Sequence, residues 1–168
     1  NPTIHYIDGR YCLFYQGFTF PGGKPSDADV ARLPRPELPS TYPAIGLATA
    51  LSVTGPWTRP DEPILSERRD RWDRDVVTNP AVCVAPDGRV LVYYRSYDMA
   101  LGLAAADDVT GPYRRVGDGP MAAFLRPDVV EDMYVWHDGT RYRMIAKDCT
   151  PDGHLAGERH AGVHAVSD

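Results

Sequence analysis

Glu131 and Asp132 stand side by side at the start of the stretch EDMYVWHDGTRYRMIAKD. A carboxylic acid that gives up a proton beside a carboxylate that accepts one is the pair that glycosidic-bond hydrolysis requires. Glu serves as the acid near neutral pH only if its surroundings raise its pKa. Two other stretches open on Asn where this one opens on acid: Asn1 begins NPTIHYIDGRYCLFYQG and Asn79 begins NPAVCVAPDGRVLVYYRS. An amide can hold a hydroxyl but cannot act as a general base. Arg95 and Lys147 close the second and third stretches at equivalent places, where a cation can grip a hydroxyl or a carboxylate. The ordinary meaning of a Glu-Asp pair before a strand is a solvated turn. Its placement where the other copies carry Asn is what makes Glu131 and Asp132 candidates.

Three further residue groups are capable of chemistry. His160 and His164 sit four apart, on one face of an extended segment, with His154 in the same parity. Three imidazoles are the beginning of a metal site, but no fourth ligand is placed, so no metal is assigned and His160 is read as part of a substrate rim. Trp72, in the charged run RRDRWDRD, is suited either to stacking on a sugar ring or to a lid packed on the protein. The chain has no G-x-S-x-G, P-loop or dinucleotide fingerprint.

The elements that must position these residues form a repeat. Each of the three stretches turns at Asp-Gly (Asp8-Gly9, Asp87-Gly88, Asp138-Gly139), the dipeptide of tight hairpins. Between them run IGLATALSVTGPWTRPDEPIL and LGLAAADDVTGPYRRVGDGPM, which turn at Thr-Gly-Pro, and AGVHAVSD begins like a third copy. A hairpin plus a second pair of strands makes four strands recurring about every 50–60 residues, the period of β-propeller blades. The expected fold is all-β, about three four-stranded blades: residues 1–65 with a Pro-rich insertion over 21–42, residues 79–121, and a partial blade over 131–168. Propellers close with 4–8 blades, so the expectation is an internal piece of a larger ring, open at both ends and able to self-associate through its exposed edges. First strands line the central channel, so their heads should meet at one mouth.

Composition narrows the function. Of 168 residues, 43% are hydrophobic and 24% charged, ordinary for a soluble domain, and the net charge of −5 argues against nucleic-acid binding. The three cysteines form no C-x-x-C, which argues against a disulfide framework or structural zinc, and no apolar run is long enough to span a membrane. No signal peptide stands before Asn1, leaving a cytoplasmic or a secreted location open. No cofactor is expected.

Asn1-Pro2-Thr3, Thr78-Asn79-Pro80-Ala81, Val130-Glu131-Asp132-Met133-Tyr134-Val135-Trp136 and Gly157-Glu158-Arg159-His160-Ala161-Gly162-Val163-His164 together resemble the five-bladed propeller glycoside hydrolases of the family 43 and family 117 type. They are most similar to a bacterial group within that superfamily. The resemblance covers nearly the whole chain except the insertion. It implies a carbohydrate substrate, a general acid at Glu131 with Asp132 beside it, and sugar contacts from Asn1, Asn79, Arg95, Lys147 and His160. It also implies a catalytic base on an inner strand, and there this sequence departs, because both visible head positions are Asn. Met133 stands where relatives carry Pro. The alternative is a non-catalytic carbohydrate-binding propeller or an inactive relative.

Overall fold

In the computed structural model, residues 2–18, 26, 28, 43–96, 100–121, 130–153, 155–158 and 160–167 are described. Asn1, His154 and nearly all of the insertion over 21–42 lie outside them. Ten strands follow in order: β1 (Thr3–Ile7), β2 (Arg10–Phe18), β3 (Pro43–Ala50), β4 (Thr78–Val84), β5 (Val90–Arg95), β6 (Leu101–Ala106), β7 (Arg114–Arg115), β8 (Val130–His137), β9 (Tyr142–Asp148) and β10 (Gly162–Ser167). They form three antiparallel sheets, β1-β2-β3, β4-β5-β6-β7 and β8-β9-β10, each a meander in chain order. The chain is thus an all-β propeller of three blades, as the repeat predicts.

Each Asp-Gly places its glycine in the left-handed region, at φ 78 for Gly9, 88 for Gly88 and 99 for Gly139. Only the first is a two-residue loop, with Ile7 paired directly to Arg10. The second and third are longer, and there an Asp side chain shapes the turn. Asp87 accepts from the Arg89 amide, and Asp138 accepts from the amides of Thr140 and Arg141.

The fourth strands are the weak part of each expected blade. The second sheet has only the two-residue β7, and the first has two isolated bridges, Ile45 with Leu65 and Thr49 with Thr58. Pro56, Pro60 and Pro63 remove backbone donors along that segment, so no continuous ladder can form.

Strand parity builds the core. Along β5, Val90, Val92 and Tyr94 face the first sheet and join a cluster with Phe14, Ile45, Leu47, Val77 and Val82. Leu91 and Tyr93 point the other way, into a cluster with Val130, Met133, Val135 and Ala146 of the third sheet. The second sheet is therefore apolar on both faces. The outer faces of the flanking sheets expose Ile4, Tyr6, Tyr134 and Ile145.

One packing device recurs in the first two sheets. Tyr15 pairs with Gly46 and Tyr94 with Gly102, and each ring lies across the glycine opposite. A Cβ at Gly102 would come within 2.2 Å of the Tyr94 ring, and one at Gly46 within 2.5 Å of Tyr15. Tyr94 is fully buried with its hydroxyl tied to Asp73, whereas Tyr15 is half-buried and can swing. Gly102→Ala should therefore cost about 1–3 kcal/mol of overpacking strain and Gly46→Ala distinctly less. Urea unfolding of the two variants measures the difference; equal costs would mean the Tyr94 ring is not held as described.

Candidate functional site

The heads of β4 and β8 share an irregularity. Thr78 pairs with Arg95 and the next pair is Ala81 with Tyr93, so Asn79 and Pro80 bulge out of the ladder. Glu131 pairs with Lys147 and the next pair is Tyr134 with Ile145, so Asp132 and Met133 do the same. Each bulge turns on a residue in the left-handed region, Asn79 at φ 50 and Asp132 at φ 53. Asn and Asp enter that region more readily than other non-glycine residues. The correspondence is thus Thr78 with Glu131 and Asn79 with Asp132. Matching Glu131 to Asn79 is one residue out, because the bulge hides the register. The acid of the third copy replaces a hydroxyl, and it is Asp132 that replaces the amide.

The heads are joined by one run of polar contacts. The Thr78 hydroxyl donates to Gln16 of β2 and lies 3.3 Å from Asn79 Oδ1. Asn79 Nδ2 donates to Asp132 Oδ1 at 3.2 Å, and Lys147 Nζ reaches Asp132 Oδ2 at 3.2 Å while also pairing with Glu131 Oε1. Arg95 Nη1 lies 3.5 Å from Glu131 Oε2. Asn79, Arg95, Glu131, Asp132 and Lys147 are thereby gathered at one place. Gln16 escaped the reading of the sequence, yet it lies two residues before the end of β2, as Arg95 ends β5 and Lys147 nearly ends β9. Aligning FYQG, YYRS and IAKD reveals it.

The ion pairs set the charge state. The Lys147 ammonium lowers the Glu131 pKa; burial opposes this, and the Cys149 thiol and Arg95 reinforce it. Lys147 is raised in turn by Glu131 and then Asp132. With no ligand bound, Glu131 is a carboxylate at neutral pH, the opposite of the raised pKa that an acid needs.

Two other carboxylates, Asp148 and Asp75, do different work. Asp148 is fully buried and accepts from the Thr150 hydroxyl and the amides of Thr150, Leu155 and Ala156, shaping the loop between β9 and β10. Burial pushes its carboxyl up, but these donors outweigh it and hold it down to about 2. Asp75 lies 3.9 Å from Arg74. His160 belongs to that β9–β10 loop rather than to a strand. It has φ 69, its amide donates to Asp148 O at 2.8 Å, and its side chain is exposed. Glycines flank the strand start and the chain turns at His160, so the single strand face expected for His160 and His164 does not form. His164 stacks on Trp136 instead, with centroids 6.3 Å apart. No group of three or more metal-ligating side chains occurs among the described residues.

Trp72 packs on the protein, against the core, and stacks on Tyr94 at 5.9 Å. Its loop is pinned by a buried ion cluster that nothing in the local sequence signals. Fully buried Asp73 accepts from Arg68 Nε at 2.8 Å, from the Tyr94 hydroxyl at 3.0 Å and from Arg115 Nε. Ser96 Oγ adds a bond to Trp72 O at 3.2 Å. Tyr94 and Ser96 flank Arg95, so the cluster fixes the strand end that presents Arg95 to Glu131.

Comparison with solved structures places this fold. A family 117 glycoside hydrolase from the marine bacterium Zobellia galactanivorans aligns with 98% of this chain and 45% of its own, at 23% identity and TM-score 0.56. A family 43 β-xylosidase/α-arabinofuranosidase from a compost metagenome, in complex with xylotriose, aligns with 96% of this chain and 47% of its own, at 18% identity and TM-score 0.62. An α-L-arabinofuranosidase of Clostridium thermocellum aligns with 100% and 55%, at 16% identity and TM-score 0.60. The chain spans about half the length of each. The sequence matches no protein-family model and no curated protein. The chain shares the fold of the family 43 and family 117 propeller glycoside hydrolases.

Burial raises the Asp73 pKa, but Arg68, Arg115 and Tyr94 outweigh it and leave it lowered. A lowered carboxylate stabilises the fold above the unfolded value of about 3.9 and loses that contribution as pH falls through the folded value. Asp73→Asn, which leaves two arginines uncompensated, should cost about 3–5 kcal/mol at neutral pH. Its deficit relative to the parent chain should shrink on acidification below about pH 4. Urea titrations at several pH values test both; a deficit independent of pH would remove the charge from the explanation.

Proposed function

We propose that this chain forms part of a glycoside-hydrolase-type propeller acting on a carbohydrate, with Glu131 as its general acid and Asp132 as the carboxylate that tunes it. The observation that carries this reading is the convergence of Glu131 and Asp132 on the single ammonium of Lys147 at the head of β8, in a fold shared with glycoside hydrolases. Two solved neighbours were crystallised with oligosaccharides, xylotriose in one and β-1,3-galactotriose in the other.

In the reaction, the Glu131 carboxyl gives its proton to the glycosidic oxygen as the bond to the anomeric carbon breaks. Water supplies the hydroxyl to that carbon, and a carboxylate takes the water's remaining proton. Asn79 cannot take it, and serves instead to orient Asp132 by donating to Oδ1. Arg95 and Lys147 hold the sugar's oxygens once the substrate displaces them from the carboxylates. His160 belongs to the proposed rim. For Glu131 to be protonated, Lys147 must leave it, so substrate binding is what arms the acid.

In the intact protein, Glu131→Gln should reduce hydrolysis of a natural glycoside by about 10²–10⁴-fold while sparing binding, since an amide of the same shape has no proton to give. A glycoside with an activated aryl leaving group should suffer far less. Asp132→Asn should do less harm than Glu131→Gln if Asp132 tunes, and equal harm if it takes the proton from water. Equal hydrolysis of natural and activated substrates by Glu131→Gln would remove Glu131 as the acid and favour a binding propeller.

A further inference from the structure

We propose that the sugar bound at this cluster is anionic, and that Lys147 leaves Glu131 to receive its carboxylate or sulfate group. This inference rests on the reading of Glu131 as the acid and names the substrate class for that same site.

The first ground is charge. The cluster is balanced, with Arg95 and Lys147 against Glu131 and Asp132. Its Arg95–Glu131 side is partly sheltered, at 20% exposed each, while Lys147 at 32% and Asp132 at 41% are open to water. A third negative charge brought beside Glu131 and Asp132 disfavours their charged forms and so raises their affinity for a proton. Uptake of one proton restores the balance. Glu131 is where that proton belongs: it loses its ammonium partner and is more buried than Asp132, which keeps the amide of Asn79. Anion binding thus generates the protonated acid that hydrolysis needs.

The second ground is competition. A neutral hydroxyl is a poor rival to a carboxylate for an ammonium, because it accepts a hydrogen bond but brings no net charge to attract the cation. An anionic group competes on equal terms. A neutral sugar leaves Lys147 on Glu131 and the acid disarmed.

The third ground is position. Gln16 and Arg95, the counterparts of Lys147, each reach across to the head of the next sheet, to Thr78 and Glu131. Lys147 lies on the face of the third sheet turned away from the second, with exposed Ile145 two residues before it, and folds back onto its own sheet's head. It is the more exposed of the two cations, at 32%, and its flexible stem can turn outward without disturbing a strand. The charged and titratable groups set against Glu131 are Lys147, Arg95, the neighbouring Asp132 and the Cys149 thiol. Burial and the Glu131 carboxylate raise the Cys149 pKa, so that thiol stays neutral and only donates.

The test is calorimetric titration of the whole chain with glucuronate, glucose 6-sulfate and glucose, in buffers of different ionisation enthalpy. Glucuronate or the sulfate should bind at least about tenfold more tightly than glucose and take up about one proton. Their Kd should weaken by up to about tenfold per pH unit as pH rises, because the complex holds the extra proton. The tighter of the two identifies the anion. Lys147→Gln should erase the preference over glucose; Glu131→Gln should keep the preference and abolish proton uptake. Glucose binding as tightly as both anions, no detectable binding of either anion, or proton uptake that survives Glu131→Gln would each overturn the proposal. The wild-type measurement alone decides the first two even if a variant fails to fold. Glu131-dependent hydrolysis of neutral aryl glycosides without anion preference would sink this inference and leave the glycosidase reading standing. Anion binding with proton uptake but no hydrolysis of any glycoside would do the reverse.

Discussion

The two-sidedness of β5 is the constraint from which the rest follows. A strand buried on both faces must send alternate side chains to different neighbours, and its register cannot slip by one without exchanging the two sets. Val90, Val92 and Tyr94 therefore belong to the first sheet's interface, and Leu91 and Tyr93 to the third's. Arg95 follows by the same parity. It is the first polar residue of the row that faces the third sheet, so it arrives at Glu131 because Leu91 and Tyr93 are held in their apolar contacts. The polar cluster is the end of an apolar ladder.

What keeps that end in place is the Asp73 cluster on the opposite face. A buried carboxylate with two arginines and a tyrosine is costly to desolvate and tolerable only if every partner is present. That requirement ties Arg68, Arg115 and Tyr94, from a loop and two strands, to one point. A hydrophobic replacement could stabilise the loop equally well but would not fix the angle at which β5 ends. The function of the cluster is geometric, and it acts on Arg95 through Tyr94 and Ser96 on either side.

Much of this was legible in the sequence. Asp-Gly turns, alternating apolar residues and the recurring Gly-Pro units were enough to give the three blades, since each signal is local and repeats. The meeting of Asn79 with the Glu131-Asp132 head follows from the expectation that strand heads converge; that Arg95 and Lys147 reach the same point does not, since strand-end cations ordinarily face solvent. The bulges were not legible: Thr78-Asn79-Pro80-Ala81 and Glu131-Asp132-Met133-Tyr134 do not say which residue leaves the ladder, so the match of Glu131 to Asn79 fell one residue out. His160 was misplaced because a spacing of four reads as a strand face until a left-handed turn intervenes. The Asp73 cluster was invisible because its members are far apart in sequence and its driving force, mutual compensation of buried charge, leaves no local pattern.

The equivalence of Gln16, Arg95 and Lys147 explains why the ion pairs collect at the head of the third blade. At the first junction a neutral amide meets a neutral hydroxyl, and the contact is only a hydrogen bond. At the second, a guanidinium meets a carboxylate, and Lys147 comes back to the same carboxylate from the other side. Among the described head residues, Glu131 meets cations from two sheets, and both lower its pKa. A propeller needs no such arrangement to pack; the first junction shows that neutral groups suffice. The charge is concentrated where the strand heads converge, on a carboxylate whose cationic neighbours keep it ionised, Lys147 being the more exposed of the two.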